Sequence, residues 1–307
     1  MRSPILFIVF NRPDPTREVF AAIRAARPSR LYVAADGPRS SRPDDAAKCQ
    51  ATRAIAAQVD WPCEVHQLFR EHNLGCKRAV SGAIDWFFEQ EEAGIVLEDD
   101  CVPDPTFFHF CDEMLDRYRD DERVGLICGA NFQFGRKHGD ASYYFSRYAH
   151  VWGWAAWRRT WQRYSKDIPD WPSFRRQGGL KRVFGSEHAQ QRFWRHQLDA
   201  VHAGKIDTWD YQLNYALWRQ GMLSIVPQHN LIRNIGFGAE ATHTTGAGPL
   251  ADMAVTPIEF PLRHPASVER CVAADNHVGE QLFSLTIAAQ AIGLLRSVLK
   301  RLKVKAS

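Results

Sequence analysis

Glu98, Asp99 and Asp100 form an acidic run that directly follows the apolar segment GIVL and precedes CVPDP. An isolated acidic triplet is ordinarily a solvated turn, but this one must emerge from the end of a buried strand rather than ride on a helix face. Two other apolar runs also end in charge: ILFIVF is followed by Asn11 and Arg12, and LYVAA by Asp36. In a parallel sheet, ligands bind outside the carboxyl ends of the strands, near the point where strand order reverses. One cation and several carboxylates then converge on one edge. That set suits a nucleotide, with the cation for phosphate and the acids for ribose and a divalent ion. Hard Mg²⁺ or Mn²⁺ takes carboxylate oxygens on one side and diphosphate oxygens on the other. The first βα turn, NRPDPT, lacks GxGxxG, and no GxxxxGKS/T segment occurs, which argues against dinucleotide binding and Walker-type phosphate chemistry.

Three later segments also carry chemistry-bearing residues. DTWDYQLNYALWRQG sets Asp207 and Asp210 ahead of Tyr211, Leu213, Tyr215 and Leu217, where either acid would also cap the helix that follows. NLIRNIGFGAEATHTTGAG surrounds His243 with Gly236, Gly238, Gly246 and Gly248, a composition suited to a mobile loop. HVWGWAAWRRTWQRY spaces Trp154, Trp157 and Trp161 at i, i+3 and i+7, which predicts one helical face turned to the core. Trp152 and Trp154 at its start offer an alternative use as an apolar platform for a sugar ring.

The elements that must position these residues follow from periodicity. Ile5 to Phe10, Leu31 to Ala35, Val65 to Phe69, Ile95 to Leu97 and Val124 to Cys128 read as buried strands, with helices over about Pro15 to Ala26 and Cys76 to Gln90. Strands alternating with helices predict an α/β fold with a parallel, doubly wound sheet. Beyond residue 128, Tyr143 to Tyr148 reads as a strand, and residues 152 to 220, with eight of the ten tryptophans, as mostly helical. One continuous body over residues 1–281 is expected. It comprises a nucleotide-binding half (1–128) and an acceptor-side half (129–250) with a mobile loop at 234–248.

The chain of 307 residues is 45% hydrophobic and 24% charged, as a globular protein is. Its formal net charge of +4 is too mild and dispersed for a nucleic-acid binder. Seven scattered cysteines without a CxxC pair fit a reducing, cytoplasmic setting, and the N-terminal apolar run is too short for a signal-peptide core or a membrane span. Residues 282–307 predict an amphipathic basic helix: Ile287, Leu294, Leu295, Val298 and Leu302 alternate with Arg296, Lys300, Arg301, Lys303 and Lys305. Such a helix suits either a peripheral contact with an anionic membrane surface or packing on the body.

The N-terminal strand followed by NRP, the VAADGPR segment, the stretch from Arg70 to Phe88 containing NLGCKRAVS and AIDWFF, and LEDDCVPDPTFF together resemble GT-A glycosyltransferases. The likeness is to the N-acetylglucosaminyltransferase I branch and to bacterial sugar transferases of that type, over roughly residues 4 to 245. It implies a GT-A, nucleotide-diphospho-sugar transferase fold. Arg12 and Asp36 would contact the nucleotide. Asp100 would be the direct metal ligand of an EDD form of the DxD motif, with Asp99 toward the ribose and Glu98 toward the donor sugar. Lys77 or Arg78, opening the helix after NLG, would add a phosphate contact. His243, in a loop that closes over the donor, would reach the diphosphate or the metal.

An inverting transferase also needs a carboxylate to take the acceptor's proton. The WD pair resembles the family's WDDW-like stretch and points to Asp210, with Asp207 in reserve, although Tyr211 replaces the family's second acid. The implied activity is transfer from a UDP-sugar, with N-acetylglucosamine as one candidate sugar. The acceptor would be a glycan or lipid-linked molecule in bacterial surface polysaccharide or glycolipid synthesis. A sugar-phosphate nucleotidyltransferase and a non-catalytic carbohydrate-binding protein of the same fold are the alternatives.

Overall fold

The strand Ile5–Val9 sends Ile5, Phe7 and Val9 into one hydrophobic cluster and Leu6 and Ile8 into a second. It is therefore apolar without interruption because both of its faces are covered. The computed structural model describes residues 1–237 and 250–283. His243, most of the expected loop at 234–248, and all but the first two residues of the expected C-terminal helix lie outside the described residues.

Chain order runs β1 (Ile5–Val9), α1 (Pro13–Ala26), β2 (Arg30–Ala35), α2 (Asp45–Ala56), β3 (Glu64–Phe69), α3 (Cys76–Gln90), β4 (Ala93–Glu98), β5 (Cys101–Pro103), α4 (Pro105–Arg117) and β6 (Val124–Cys128). It continues through β7 (Tyr143–Ser146), β8 (Trp154–Trp157), α5 (Arg158–Trp161), α6 (Trp171–Arg176), α7 (Gly179–Phe184), α8 (His188–His202), α9 (Asp210–Gln220), β9 (Leu223–Pro227), β10 (Ile232–Asn234) and α10 (Val272–Leu282). Eight strands form one sheet in the order β3-β2-β1-β4-β8-β6-β9-β7. β1, β2, β3 and β4 pair in parallel, as do β6 and β9, whereas β8 and β7 run against their neighbours. This is the expected α/β class, a mostly parallel central sheet with flanking helices. Helices α1 and α4 cover one face, through Val19, Ile23, Phe107 and Phe110, and α3 and α9 the other, through Ile84, Phe87, Leu213 and Leu217.

Because β1 leads outward to β2 and β3 and the chain then returns to lay β4 on its other side, strand order reverses between β1 and β4. The carboxyl ends of these two strands carry Arg12 and the acidic run. Asp100 is followed at once by β5, which pairs antiparallel with β10 in a small second sheet, Asn234 opposite Cys101.

The helical reading of the tryptophan stripe is corrected. Residues Trp154 to Trp157 are strand β8, inserted antiparallel between β4 and β6. Trp154 and Ala156 enter one cluster and Ala155 and Trp157 the other, so the two tryptophans face opposite sides of the sheet. Only Trp161 lies on the short helix α5. Trp154 is 1% exposed and cannot serve as a sugar platform, while Trp152 is partly exposed. The rest of the 152–220 stretch is mostly helical, as expected, with a third cluster built around Trp171, Trp194, Trp218, Tyr148, Tyr215 and Phe184. Helix α9 is wedged between this cluster (Tyr215, Trp218) and the sheet (Leu213, Leu217), which is why it is buried nearly all round. Among the described residues no helix is long and apolar enough to cross a membrane.

The central place of β8 makes a checkable demand. Trp154→Ala should cost about 3–5 kcal/mol in urea unfolding, as truncation of a fully buried aromatic does. A loss below about 1 kcal/mol would mean that the strand is peripheral.

Candidate functional site

The ends of β1 and β4 are joined by charge. Arg12 Nη2 donates to Asp99 Oδ1 and, at 3.0 Å, to Asp100 Oδ2, while the Phe10 amide donates to Asp99 Oδ2 at 3.4 Å. Asp99 is thus turned inward, 3% exposed, with both oxygens engaged; Glu98 and Asp100 are partly exposed. Burial works against the Arg12 charge, but Asp99 and Asp100 outweigh it and hold the guanidinium above its usual range. Burial raises the Asp99 carboxyl against the pull of Arg12. Glu98 is pushed up to about 8 by burial, then by Asp100 and Asp99. Three carboxylates stand against one guanidinium, so the cluster is short of positive charge.

The chain after β10 lies directly on this cluster. The Ile235 amide donates to the Asp100 carbonyl at 2.8 Å. Gly236 is pressed so close that a Cβ there would sit 2.1 Å from Asp100 Oδ2, hence a glycine. Its amide donates to Asn234 Oδ1 at 2.8 Å. Phe237 then meets Trp152 edge-on at 5.7 Å, and Trp152 meets Phe132 at 5.0 Å, so an aromatic wall begins where the acids end.

At the end of β2, the Asp36 carboxylate accepts from the amides of Gly37 (2.9 Å) and Leu74 (3.0 Å) and from Asn73 Nδ2 (2.9 Å). Gly37 has no room for a side chain, since a Cβ there would stand 2.4 Å from the His72 backbone, and Arg53 donates to the carbonyls of Asp36 (3.0 Å) and Arg70 (2.6 Å). Burial raises Asp36 against these bonds. Its carboxylate is occupied in tying two loops together. Asp45, which the sequence did not single out, does the same beside β1. It accepts from Asn11 Nδ2 (2.8 Å) and Arg39 Nε (2.5 Å), and Arg39 lies over the Phe10 ring at 5.2 Å. Hydrogen bonding to Arg39 holds Asp45 at about 2.

At the start of helix α3, Lys77 is paired and Arg78 is exposed. Lys77 Nζ donates to Asp167 Oδ1 at 2.7 Å, and Asp207 accepts from the first amides of the helix. Neither Asp207 nor Asp210 caps α9, whose N-cap is Trp209 without a side-chain bond. Asp210 is instead the first residue of α9, partly exposed, with Thr208 Oγ1 donating to Oδ1. Its charge reaches Glu98, and burial, followed by that charge, lifts the Tyr211 hydroxyl to about 12. The fold therefore brings Arg12, Glu98, Asp99 and Asp100 into one cluster with Asp210 in electrostatic reach. Asp36 stands in the adjoining loop, and Lys77 and Arg78 open α3.

No group of three metal-ligating side chains is gathered among the described residues. The donors present are nonetheless hard carboxylates in a charge-deficient cluster. That suits a divalent ion that takes one or two ligands from the chain and the rest from a bound anion and water.

No protein-family model matches the chain, and no curated protein matches it. Solved structures with partial likeness include HddC from Yersinia pseudotuberculosis (9% identity over 56% of this chain and 86% of that one, TM-score 0.33). Apo UDP-glucose pyrophosphorylase matches at 9% identity over 75% and 93%, with TM-score 0.39. TarS of S. aureus matches at 12% identity over 53% of this chain and 48% of that one, with TM-score 0.33.

The acid cluster sets a pH dependence. The folded state binds the Glu98 proton more tightly than the unfolded chain, so this contribution to stability is complete below the ordinary glutamate value, 4.5. It is lost as pH rises from there to about 8. In urea unfolding under EDTA at about pH 5 and about pH 8, Glu98→Gln should lose less stability across the interval than the natural chain, by about 1 kcal/mol or more. Equal losses would contradict the raised Glu98.

Proposed function

We propose that this chain is a metal-dependent inverting glycosyltransferase that moves a sugar from a UDP-sugar to a glycan or lipid-linked acceptor. One observation carries the reading. At the point where strand order reverses, an Arg12-braced set of carboxylates stands short of positive charge, and a separate acid, Asp210, opens a helix within electrostatic reach of it. A binding protein needs only the first part; a group transfer to a hydroxyl needs both.

Asp100 is the residue that would hold Mn²⁺ or Mg²⁺, with Glu98 beside it toward the donor sugar. When bound, the ion supplies Lewis-acid stabilisation for the departing diphosphate. Asp99, engaged by Arg12 and the Phe10 amide, orients the guanidinium rather than reaching the ribose. Arg12 then places a fixed positive charge where the leaving group gains negative charge, at no cost in reorganisation. Asp36 shapes the nucleotide pocket by holding the loops at 36–37 and 72–74 together, so that backbone groups of those loops meet the nucleoside. Asp210 takes the acceptor hydroxyl proton as the oxygen attacks the anomeric carbon from the face opposite the diphosphate. The Thr208 hydroxyl bond leaves its second oxygen for that proton. Trp152 and Phe237 offer apolar rings to a sugar beside the acids. A sugar-phosphate nucleotidyltransferase would use the same metal acids but would make no demand on Asp210.

Calorimetry with UDP, GDP and CMP, in Mn²⁺ and in EDTA, tests the donor side. UDP should bind only with metal, and Asp100→Ala should abolish that binding. Asp210→Asn should keep UDP affinity and lower transfer by about 10²–10⁴-fold, the usual contribution of a general base. Full transfer in that variant would show that Asp210 is not the base and would leave the fold reading in place. Absence of nucleotide binding under every condition would leave only the carbohydrate-binding alternative.

A further inference from the structure

We propose that Asp207 is a positioning residue for Asp210, a latch that fixes the segment carrying the base to the nucleotide-binding half of the molecule; the inference rests on the transfer reading. Its carboxylate spans two amides at the start of α3, Oδ2 accepting from Cys76 N and Oδ1 from Lys77 N, each at 2.9 Å. One oxygen per amide restrains rotation as well as distance. The contact joins residues about 130 apart in sequence.

Helix α3 is built to receive this group. The first turn of an α-helix leaves amide donors without partners inside the helix. Here the N-cap is Gly75, which has no side chain to satisfy them, and the first turn contains no acid of its own. Gly75 has φ 81°, a conformation open to glycine, and a Cβ at this position would stand 2.8 Å from Asp207 Oδ2. The glycine therefore serves both the turn and the clearance. A second tether lies alongside, from Lys77 Nζ, a side chain only 15% exposed, to Asp167 Oδ1 at 2.7 Å.

From the latch to the base is a short, fully determined path. Thr208 donates its hydroxyl to Asp210 Oδ1. Trp209 is 4% exposed and stacks on Trp154 of β8 at 5.9 Å. Asp207 anchors one side of Thr208 and Trp209 the other, so the hydroxyl that sets the Asp210 rotamer is held from both directions. The reference point is rigid: Ala83, Ile84 and Phe87 of α3 lie in the core cluster of β1, β2 and β4. Reactivity depends on sub-ångström placement of a base. A latch between α3 and the start of α9 thus gives Asp210 a fixed relation to the acids at the end of β4.

Hydrogen exchange with mass spectrometry, on peptides spanning 74–80 and 207–213 of the whole chain, tests the latch directly. Asp207→Ala should speed exchange in both peptides by roughly tenfold, the loss expected for a removed cap, and leave β1 and β4 unchanged. Asp207→Asn, isosteric and still an acceptor, should fall between and guards against a variant that fails to fold. With UDP-N-acetylglucosamine as donor, the alanine variant should lower kcat and leave KM unchanged, and asparagine should restore part of the rate. Mn²⁺-dependent UDP affinity should stay within about twofold of the natural chain. Unaltered exchange at 207–213 would overturn the proposal. So would tighter UDP binding in Asp207→Ala, which would make the carboxylate a competitor of the diphosphate for the α3 amides. If the natural chain binds no UDP, the transfer reading fails while the exchange result still reports on the latch.

Discussion

The ion pair of Arg12 with Asp99 and Asp100 is the contact on which the site depends. It fastens the loop after β1 to the turn after β4 across the place where strand order reverses, and it does so with Asp99 almost fully buried. Removing the guanidinium would leave clustered carboxylates uncompensated, a change that commonly costs about 3–5 kcal/mol. The pair is incomplete by design of charge: one cation serves three acids, and Glu98 shows the deficit in its raised carboxyl. In the proposed function a divalent ion with its bound anion would complete this charge, sharing Asp100 with Arg12.

The other half of the molecule is tied to this cluster at three places. β8 enters the sheet beside β4 and carries Trp154, against which Trp209 stacks just ahead of Asp210. β10 pairs with β5 and delivers Gly236 onto Asp100 and Phe237 onto Trp152. Asp207 reaches the amides of α3. Each attachment uses residues far apart in sequence.

Strands β1, β2, β4 and β6 were legible because burial on both faces writes an unbroken apolar run, and the charged ends of the first three named Arg12, Asp36 and the acidic triplet; Val65 to Phe69, expected to be buried, is instead the exposed edge strand β3, with Val65 36% exposed. β8 was not, because Trp-Ala-Ala-Trp fits a helical i, i+3 spacing as well as an alternation between two cores; only the neighbouring strands decide. The types of the site residues were legible, but their orientations were not. The partners that turn Asp36 and Asp99 inward include backbone amides of other loops, Leu74 and Phe10, and an amide leaves no mark on a sequence. Asp207 was readable as a cap, yet the helix it caps begins at Cys76 rather than three residues on. Asp45, the first residue of α2, lay hidden behind a polar loop whose only signal was its density of Arg and Asp.

The most direct test of a charge-deficient site completed by metal and nucleotide together is Mn²⁺ titration, following the free ion by electron paramagnetic resonance with and without UDP. The expected result is weak uptake of Mn²⁺ alone, because Arg12 already holds Asp100, and uptake about tenfold or more tighter with UDP present. Mn²⁺ uptake indifferent to UDP, or absent in its presence, would contradict the assignment of Arg12 and Asp100 to one metal–nucleotide site.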